Sequence, residues 1–302
     1  MQQVKRQKTH HYKFIHHTFV RNDGKTVDKL YPFDANNVTI GKPHKKNFGK
    51  YTLERKYHLV DPEENIDADI PIRFQTPPMY APFGKKDWLF EKKSGGDYSA
   101  NINPDAPQAM KTDANGNDGK DKDKDKAKSS MALSFWNAEK DPAVRAFMED
   151  LADLDDVTVS LAVKNKDEWW ECGPDLVPEV IKAFYIPLSK SKKRDSNGNL
   201  YPPLLGCKLP KRMGKILTKF YDNSKPPAPV TVNEVKKGCK CVCLIKDTGL
   251  WMEPTKFKSG FDTIQCQIVD YTDAEMEDEV PCTIVGDDGE HERSDVGAEY
   301  NA

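Results

Sequence analysis

Basic side chains keep company with aromatic ones repeatedly along this sequence. Arg73 precedes Phe74, Lys85 and Lys86 precede Trp88 and Phe90, Lys190 to Arg194 precede Tyr201, and Lys256 precedes Phe257, with Trp251 close by. Binding an unpaired nucleic-acid strand needs this mixture, because cations follow the phosphates while flat rings stack on bases exposed only in a single strand. Arg73, Lys190, Lys192, Lys193, Arg194, Lys208, Lys236, Lys240 and Lys256 are therefore the candidate phosphate contacts, and Phe74, Tyr201, Trp251 and Phe257 the candidate stacking rings. Any one aromatic strand residue is more readily a core residue than a stacking ring; the repetition carries the reading.

Catalytic patterns are scarce by comparison. The phosphate- and dinucleotide-binding glycine loops, the His-Glu-x-x-His helix and the Gly-x-Ser-x-Gly turn do not occur. Six of the seven histidines fall within the first 58 residues and the seventh, His291, sits among acids, so a Ser-His or Cys-His pair would need a partner from far along the chain. The chain is expected not to be an enzyme and to carry no cofactor. Cys239-x-Cys241-x-Cys243, with Cys266 downstream, is the one metal-like pattern. Period-two spacing spreads three thiols over about 13 Å of one strand face, too far for a single tetrahedral centre with bonds near ~2.3 Å. Two of them with Cys266 can still approach, but small buried side chains are the expectation and no metal ligand is assigned.

Apolar residues make up 37% of the 302 and charged ones 31%, with 21 prolines and 18 glycines, which points to a globular body carrying disordered segments. No run of about 18 apolar residues is present to span a bilayer, and the His-rich basic start lacks the apolar stretch of a secretory signal. Seven scattered cysteines fit a reducing compartment. Charge is divided unevenly. Residues 270–302 hold twelve acids against the single base Arg293, a net of -11, which leaves +9 on the rest of a chain whose total is -2. A basic body with a tethered acidic tail suits a polyanion ligand that displaces the tail.

The elements that must position these residues are mostly strands. Residues 1–45 read as a basic arm, 46–269 as the binding domain and 270–302 as a disordered acidic tail. Within the domain, 51–60 and 70–76 have β patterning, 95–130 collapses into Gly, Asn, Asp, Lys and Ser and reads as a disordered loop, and 131–136 resumes a strand. Asp141-Pro142 opens an amphipathic helix expected to reach about residue 170, and a second helix is expected over 174–185, so 141–185 forms a helical insertion. The stretches 184–188 and 201–209 read as a hairpin, and 230–235, 239–246, 249–252 and 260–270 as a meander broken at Asp247-Thr248-Gly249 and Ser259-Gly260. Strands, a helical insertion and more strands exclude a βαβ enzyme and give a mainly β fold.

Two groups of residues make the chain resemble a known family. The run Ile70-Pro71-Ile72-Arg73-Phe74-Gln75-Thr76-Pro77, followed by Tyr80-Ala81-Pro82-Phe83-Gly84, is similar to the opening motif of single-stranded DNA-binding proteins of large nucleocytoplasmic DNA viruses. The later Val235-Lys236-Lys237-Gly238-Cys239, Gly249-Leu250-Trp251-Met252 and Lys256-Phe257 resemble its closing strands, and also those of podoviral phage OB-fold single-stranded DNA-binding proteins. The likeness spans roughly residues 50–270. It departs where the pattern runs Lys-Phe-Gly and this chain has Lys256-Phe257-Lys258-Ser259-Gly260, and at the end, which is Tyr300-Asn301-Ala302 rather than an aromatic residue. The resemblance implies an OB-like, partly open barrel that coats unpaired DNA in viral replication and recombination. It also implies replication or recombination proteins as partners through the acidic tail, and a site of action in the host nucleus or a cytoplasmic viral replication factory. A homodimer is an assembly open to it, and no membrane is involved. The rival reading is a virion structural or scaffold protein whose nucleic-acid affinity is incidental.

Overall fold

Alternating burial, rather than any single motif, dominates the computed structural model, which describes residues 12–21, 23–46, 50–88, 91–92, 98–99, 128–170, 176–189 and 197–270. Nearly all of the expected loop 95–130 and tail 270–302 lies outside these residues, as do Lys190, Lys192, Lys193 and Arg194. The strands are β1 (Ile15–Val20), β2 (Thr26–Tyr31), β3 (Val38–Ile40), β4 (His44–Lys45), β5 (Tyr51–Leu53), β6 (Arg55–Asp61), β7 (Ile66–Pro71), β8 (Arg73–Gln75), β9 (Met79–Tyr80) and β10 (Lys85–Trp88). A short pair, β11 (Glu91–Lys92) and β12 (Tyr98–Ser99), and then β13 (Lys128–Ser134) lead to helices α1 (Pro142–Lys164), α2 (Lys166–Trp169) and α3 (Pro178–Phe184). After them come β14 (Tyr185–Ile186), β15 (Leu204–Leu209), the small hairpin β16 (Lys211–Arg212) and β17 (Lys215–Ile216), β18 (Lys219–Tyr221), β19 (Pro229–Val230), and the long closing pair β20 (Lys240–Glu253) and β21 (Lys256–Asp270).

The fold is mainly β with a helical insertion, as expected. Its strands form a circuit: β20 pairs antiparallel with β21, β21 parallel with β15, β15 antiparallel with β13, and β13 meets β9 at Ser134 and Tyr80. The two-residue β9 then returns to β20 at Lys240 and Cys241, so the circuit is completed narrowly and the barrel is partly open. The two motifs of the family resemblance meet at this place. The Gly84 and Gly238 amides both donate to the Ala81 carbonyl at 3.0 Å, and a Cβ on Gly84, whose φ is +57°, would lie 2.6 Å from the Val235 carbonyl oxygen.

Helix α1 begins where the sequence places it. Asp141 accepts hydrogen bonds from the amides of Ala143 (2.9 Å) and Val144 (3.3 Å), with Pro142 in the first turn. Its buried face, Val144, Phe147, Leu151, Leu154 and Thr158, recurs at helical spacing and packs on the barrel, where Phe147 meets Phe74 and Phe14 edge-on. The helix ends at Lys164 instead of running unbroken to residue 170: Asn165, whose backbone and side-chain amides both donate to the Leu161 carbonyl, leaves helical geometry at φ -104° and ψ 22° before α2. Polar contacts tie helix to barrel: Asp155 of α1 accepts from the Tyr185 hydroxyl and from the Leu188 amide (3.0 Å), with Tyr185 also touching Ser259 of β21, and Arg55 reaches the helix from β6. The guanidinium of Arg55 donates through two nitrogens to both carboxylate oxygens of Asp247 (2.7 Å each) and through a third to Thr158 Oγ1 (2.9 Å), all fully enclosed.

Three expectations are corrected. Residues 15–31, read as part of a basic arm, form a hairpin whose Ile15 pairs with Phe74 of β8, and Phe14, Ile15, Tyr31 and Phe33 are in the core. Apolar residues spaced two apart among the bases did this. Second, β14 and β15 are not hairpin partners: one bridge joins Ser189 to Leu205, while both strands pair with β21. Third, three of the four pieces of the meander, 239–246, 249–252 and 260–270, make a single hairpin of two long strands, while 230–235 holds the end of β19, paired with β18, and a 3-10 turn at 232–234. Asp247-Thr248-Gly249 is a bulge, not a turn: Gly249 has φ +79°, and a Cβ there would lie 2.1 Å from the Leu53 carbonyl oxygen.

Candidate nucleic-acid interface

Strands β20 and β21 present one face to the core and the other outward, and the bulge at Gly249 decides which residues go where. Before it, Cys241, Cys243, Ile245 and Asp247 are buried and Lys246 is exposed; after it, Leu250 and Met252 are buried and Trp251 turns outward. Trp251 stands opposite Lys258 on β21 and Thr52 on β5. The ammonium groups of Lys50 and Lys258 lie 4.9 and 5.7 Å from its ring centre, within cation–π reach. Glu253 next along pairs with Lys256 at 2.8 Å and with Lys50 at 3.4 Å.

A second row of residues crosses the sheet beside this tryptophan. Strand register places Lys86, Ser130, Lys208, Asp262, Lys246 and Arg73 side by side on six neighbouring strands, four cations with one acid among them. Arg73 Nε is buried and has no hydrogen-bond partner among the described residues. The crowding of charge registers on its neighbours. Burial first, then the charges of Lys208 and Lys256, hold Lys258 below the ordinary lysine range, and burial followed by Arg73 lowers His17. At the far end Lys240 lies 5.5 Å from the ring of Tyr80.

Arg73, Lys208, Lys240, Trp251 and Lys256 thus share the outer face of the barrel, spread along β20 and β21 from Lys240 at one end to Trp251 and Lys256 at the other. Lys236 is exposed in the turn that leads into β20, and Tyr201 is half-buried in the segment before β15. Phe74 and Phe257 are corrected: neither has any exposed surface, so neither can stack on a base. Phe74 sits among Phe33, Phe147 and Phe261, and Phe257 against Tyr185 and Trp170. The cause is the period of a strand, which sends Phe74 inward wherever Arg73 points outward. Sequence reading missed Lys50, Lys246, Lys258 and Tyr80. Lys246 and Lys258 occupy outward positions of the same alternation, but reading β20 as two strands hid their common phase.

Trp251→Ala is expected to weaken single-strand binding by about 1 to 3 kcal/mol while barely moving the melting temperature, since the indole is outside the core. Fluorescence titration and thermal melting of the same preparation check this; a lowered melting temperature with unchanged affinity would return Trp251 to the core.

The sulfurs of Cys241, Cys243 and Cys266 lie within 4.8 Å of one another, the one group among the described residues with metal-ligand proximity. The expectation that thiols of β20 are too spread for one centre therefore holds for the full triplet but not for two of them with Cys266. All three are buried in the apolar barrel interior with Cys207 and Cys239, and burial pushes the Cys207 thiol up to about 12. Within the triplet, hydrogen bonds from the Cys241 and Cys243 thiols hold Cys266 below the ordinary thiol range, while Cys241 and Cys243 are pushed above it.

No protein-family profile matches the chain, and no curated protein matches it. Among solved structures, the single-stranded DNA-binding protein from bacteriophage Enc34 in complex with ssDNA is similar over 76% of this chain and 96% of its own, at 10% identity and a TM-score of 0.31. The same phage protein without DNA is similar over 80% of this chain and 95% of its own, at 9% identity and a TM-score of 0.34. The structural neighbours are phage single-stranded DNA-binding proteins, at a likeness too slight to assign this chain a function.

Proposed function

We propose that the outer face of β20 and β21 binds unpaired DNA without sequence preference, and that the protein is a non-enzymatic single-strand coat acting in the replication and recombination of a viral genome. The observation that carries the reading is Trp251, turned outward by a bulge and flanked by two ammonium groups, on the same face as the row of Lys86, Lys208, Lys246 and Arg73. Stacking ring and phosphate cations on one face is the combination that single strands require and duplexes do not. The motif resemblance supports a large DNA virus as the source and its replication site, nuclear or cytoplasmic, as the place of action.

The acidic tail fits the same reading as a tethered competitor for this face and a docking segment for replication or recombination proteins. Affinity for oligothymidylate, measured by fluorescence anisotropy between about 50 and 200 mM salt, should fall linearly on a log-log plot by about 0.7 per phosphate neutralised. A chain ending at Val269 should bind more tightly at low salt, with the gap closing as salt screens the tail. Affinity that ignores salt would refute the phosphate contacts; equal affinity of the two chains would refute the competing tail.

A further inference from the structure

One stretch of the outer face lacks charge. Next to the row of Arg73, Lys246 and Lys208, a groove of about 330 Å³ is lined by Gln75, Gln265, Gln267, Tyr221, Val242 and Leu244, with no ionisable side chain other than the phenol. Strand register sets Gln75 of β8 and Gln265 of β21 on either side of Leu244, and sets Val242 beside Gln267 and Gln267 beside Tyr221. Two strand spacings, about 10 Å, separate the two outer glutamines. Among the described residues neither the Gln75 nor the Gln265 side-chain amide has a hydrogen-bond partner, whereas Gln267 is steadied by donating to the Asp222 carbonyl at 3.3 Å.

A phosphate finds no cation inside this groove, but cations stand at its borders: Arg73 precedes Gln75 by two residues, and Lys219 pairs with Gln265 in register. A nucleobase matches the interior. It is neutral and flat, its edge offers donors and acceptors that a carboxamide can meet in either orientation, and its faces pack on a phenol ring or on Val and Leu. We propose that the groove is a base subsite: it takes one nucleobase of the bound strand, edge against the amides of Gln75 and Gln265 and face against Tyr221, while the flanking phosphates lie on the cations. This rests on the reading that the strand runs along this face. It adds a place where the protein touches bases by hydrogen bonding as well as by stacking.

The test compares the full chain binding an oligothymidylate and an equally long abasic oligonucleotide at one salt concentration. The wild type should prefer the base-bearing strand. In Gln75→Ala/Gln265→Ala that preference should fall about tenfold, the loss of two hydrogen bonds, with the abasic affinity unchanged. Tyr221→Leu, which keeps bulk on the sheet, should lower the same preference independently. An unchanged preference in both variants would overturn the subsite while leaving the single-strand reading in place; a wild type that binds both oligonucleotides equally would overturn the subsite and the Trp251 stacking together, leaving only the phosphate contacts. A wild type that binds neither would overturn the subsite and the single-strand reading together.

Discussion

Arg55→Met is expected to lower the unfolding free energy by about 3 to 5 kcal/mol, one of the two largest effects of any single substitution considered. The cost comes from what is left behind. Asp247 would be left fully enclosed without its cation, and Thr158 of α1 would lose its donor, one of the polar links between helix and barrel. Asp247 also accepts from the Gly249 amide at 2.9 Å, so the pair sits at the root of the bulge that turns Trp251 outward. Replacing both partners, in Arg55→Met/Asp247→Leu, should restore part of the loss, because two apolar side chains leave no buried charge. Urea unfolding of the three proteins checks this. A single variant as stable as the wild type would mean that water or another group reaches Asp247.

Phe74→Ala should cost about 3 to 5 kcal/mol, since it empties a site enclosed by three aromatic rings. Arg73→Ala, one residue earlier, should leave the unfolding midpoint nearly unchanged and weaken DNA binding instead. The contrast separates the two faces of one short strand. A Phe74→Ala protein of wild-type stability that lost affinity would restore Phe74 as a stacking ring and contradict the inward phase of β8.

Much of the fold is legible in the sequence because it rests on local periodicity. The apolar spacing from Val144 to Thr158 and the Asp141-Pro142 cap specify α1, and period two in β8 and β21 specifies strands. What is not legible is what local pattern leaves undetermined. Gly249 is as suited to a turn as to a bulge, and the choice of bulge depends on the Leu53 backbone, almost two hundred residues away, crossing within contact of it. The error propagates to the site: with β20 cut at residue 247, Lys246 and Trp251 fall on different elements, and Lys258 has no visible relation to either. The N-terminal hairpin was obscured by composition, since its bases and histidines mask Phe14 and Ile15, which pack only once β8 is present. Pairing an aromatic with its basic sequence neighbour places the two on opposite faces of a strand, which is why Arg73 and Lys256 belong to the interface and Phe74 and Phe257 do not.

This face is proposed to recognise a strand whose bases are unpaired. Competition at one salt concentration tests it most directly: a labelled oligothymidylate bound to the full chain is displaced by unlabelled single strand or by duplex of equal nucleotide content. Single strand should compete at least about tenfold better, because only it offers bases to Trp251, and Trp251→Ala should narrow the gap. Equal competition by duplex, unchanged in Trp251→Ala, would contradict it and leave the basic face as a general polyanion surface.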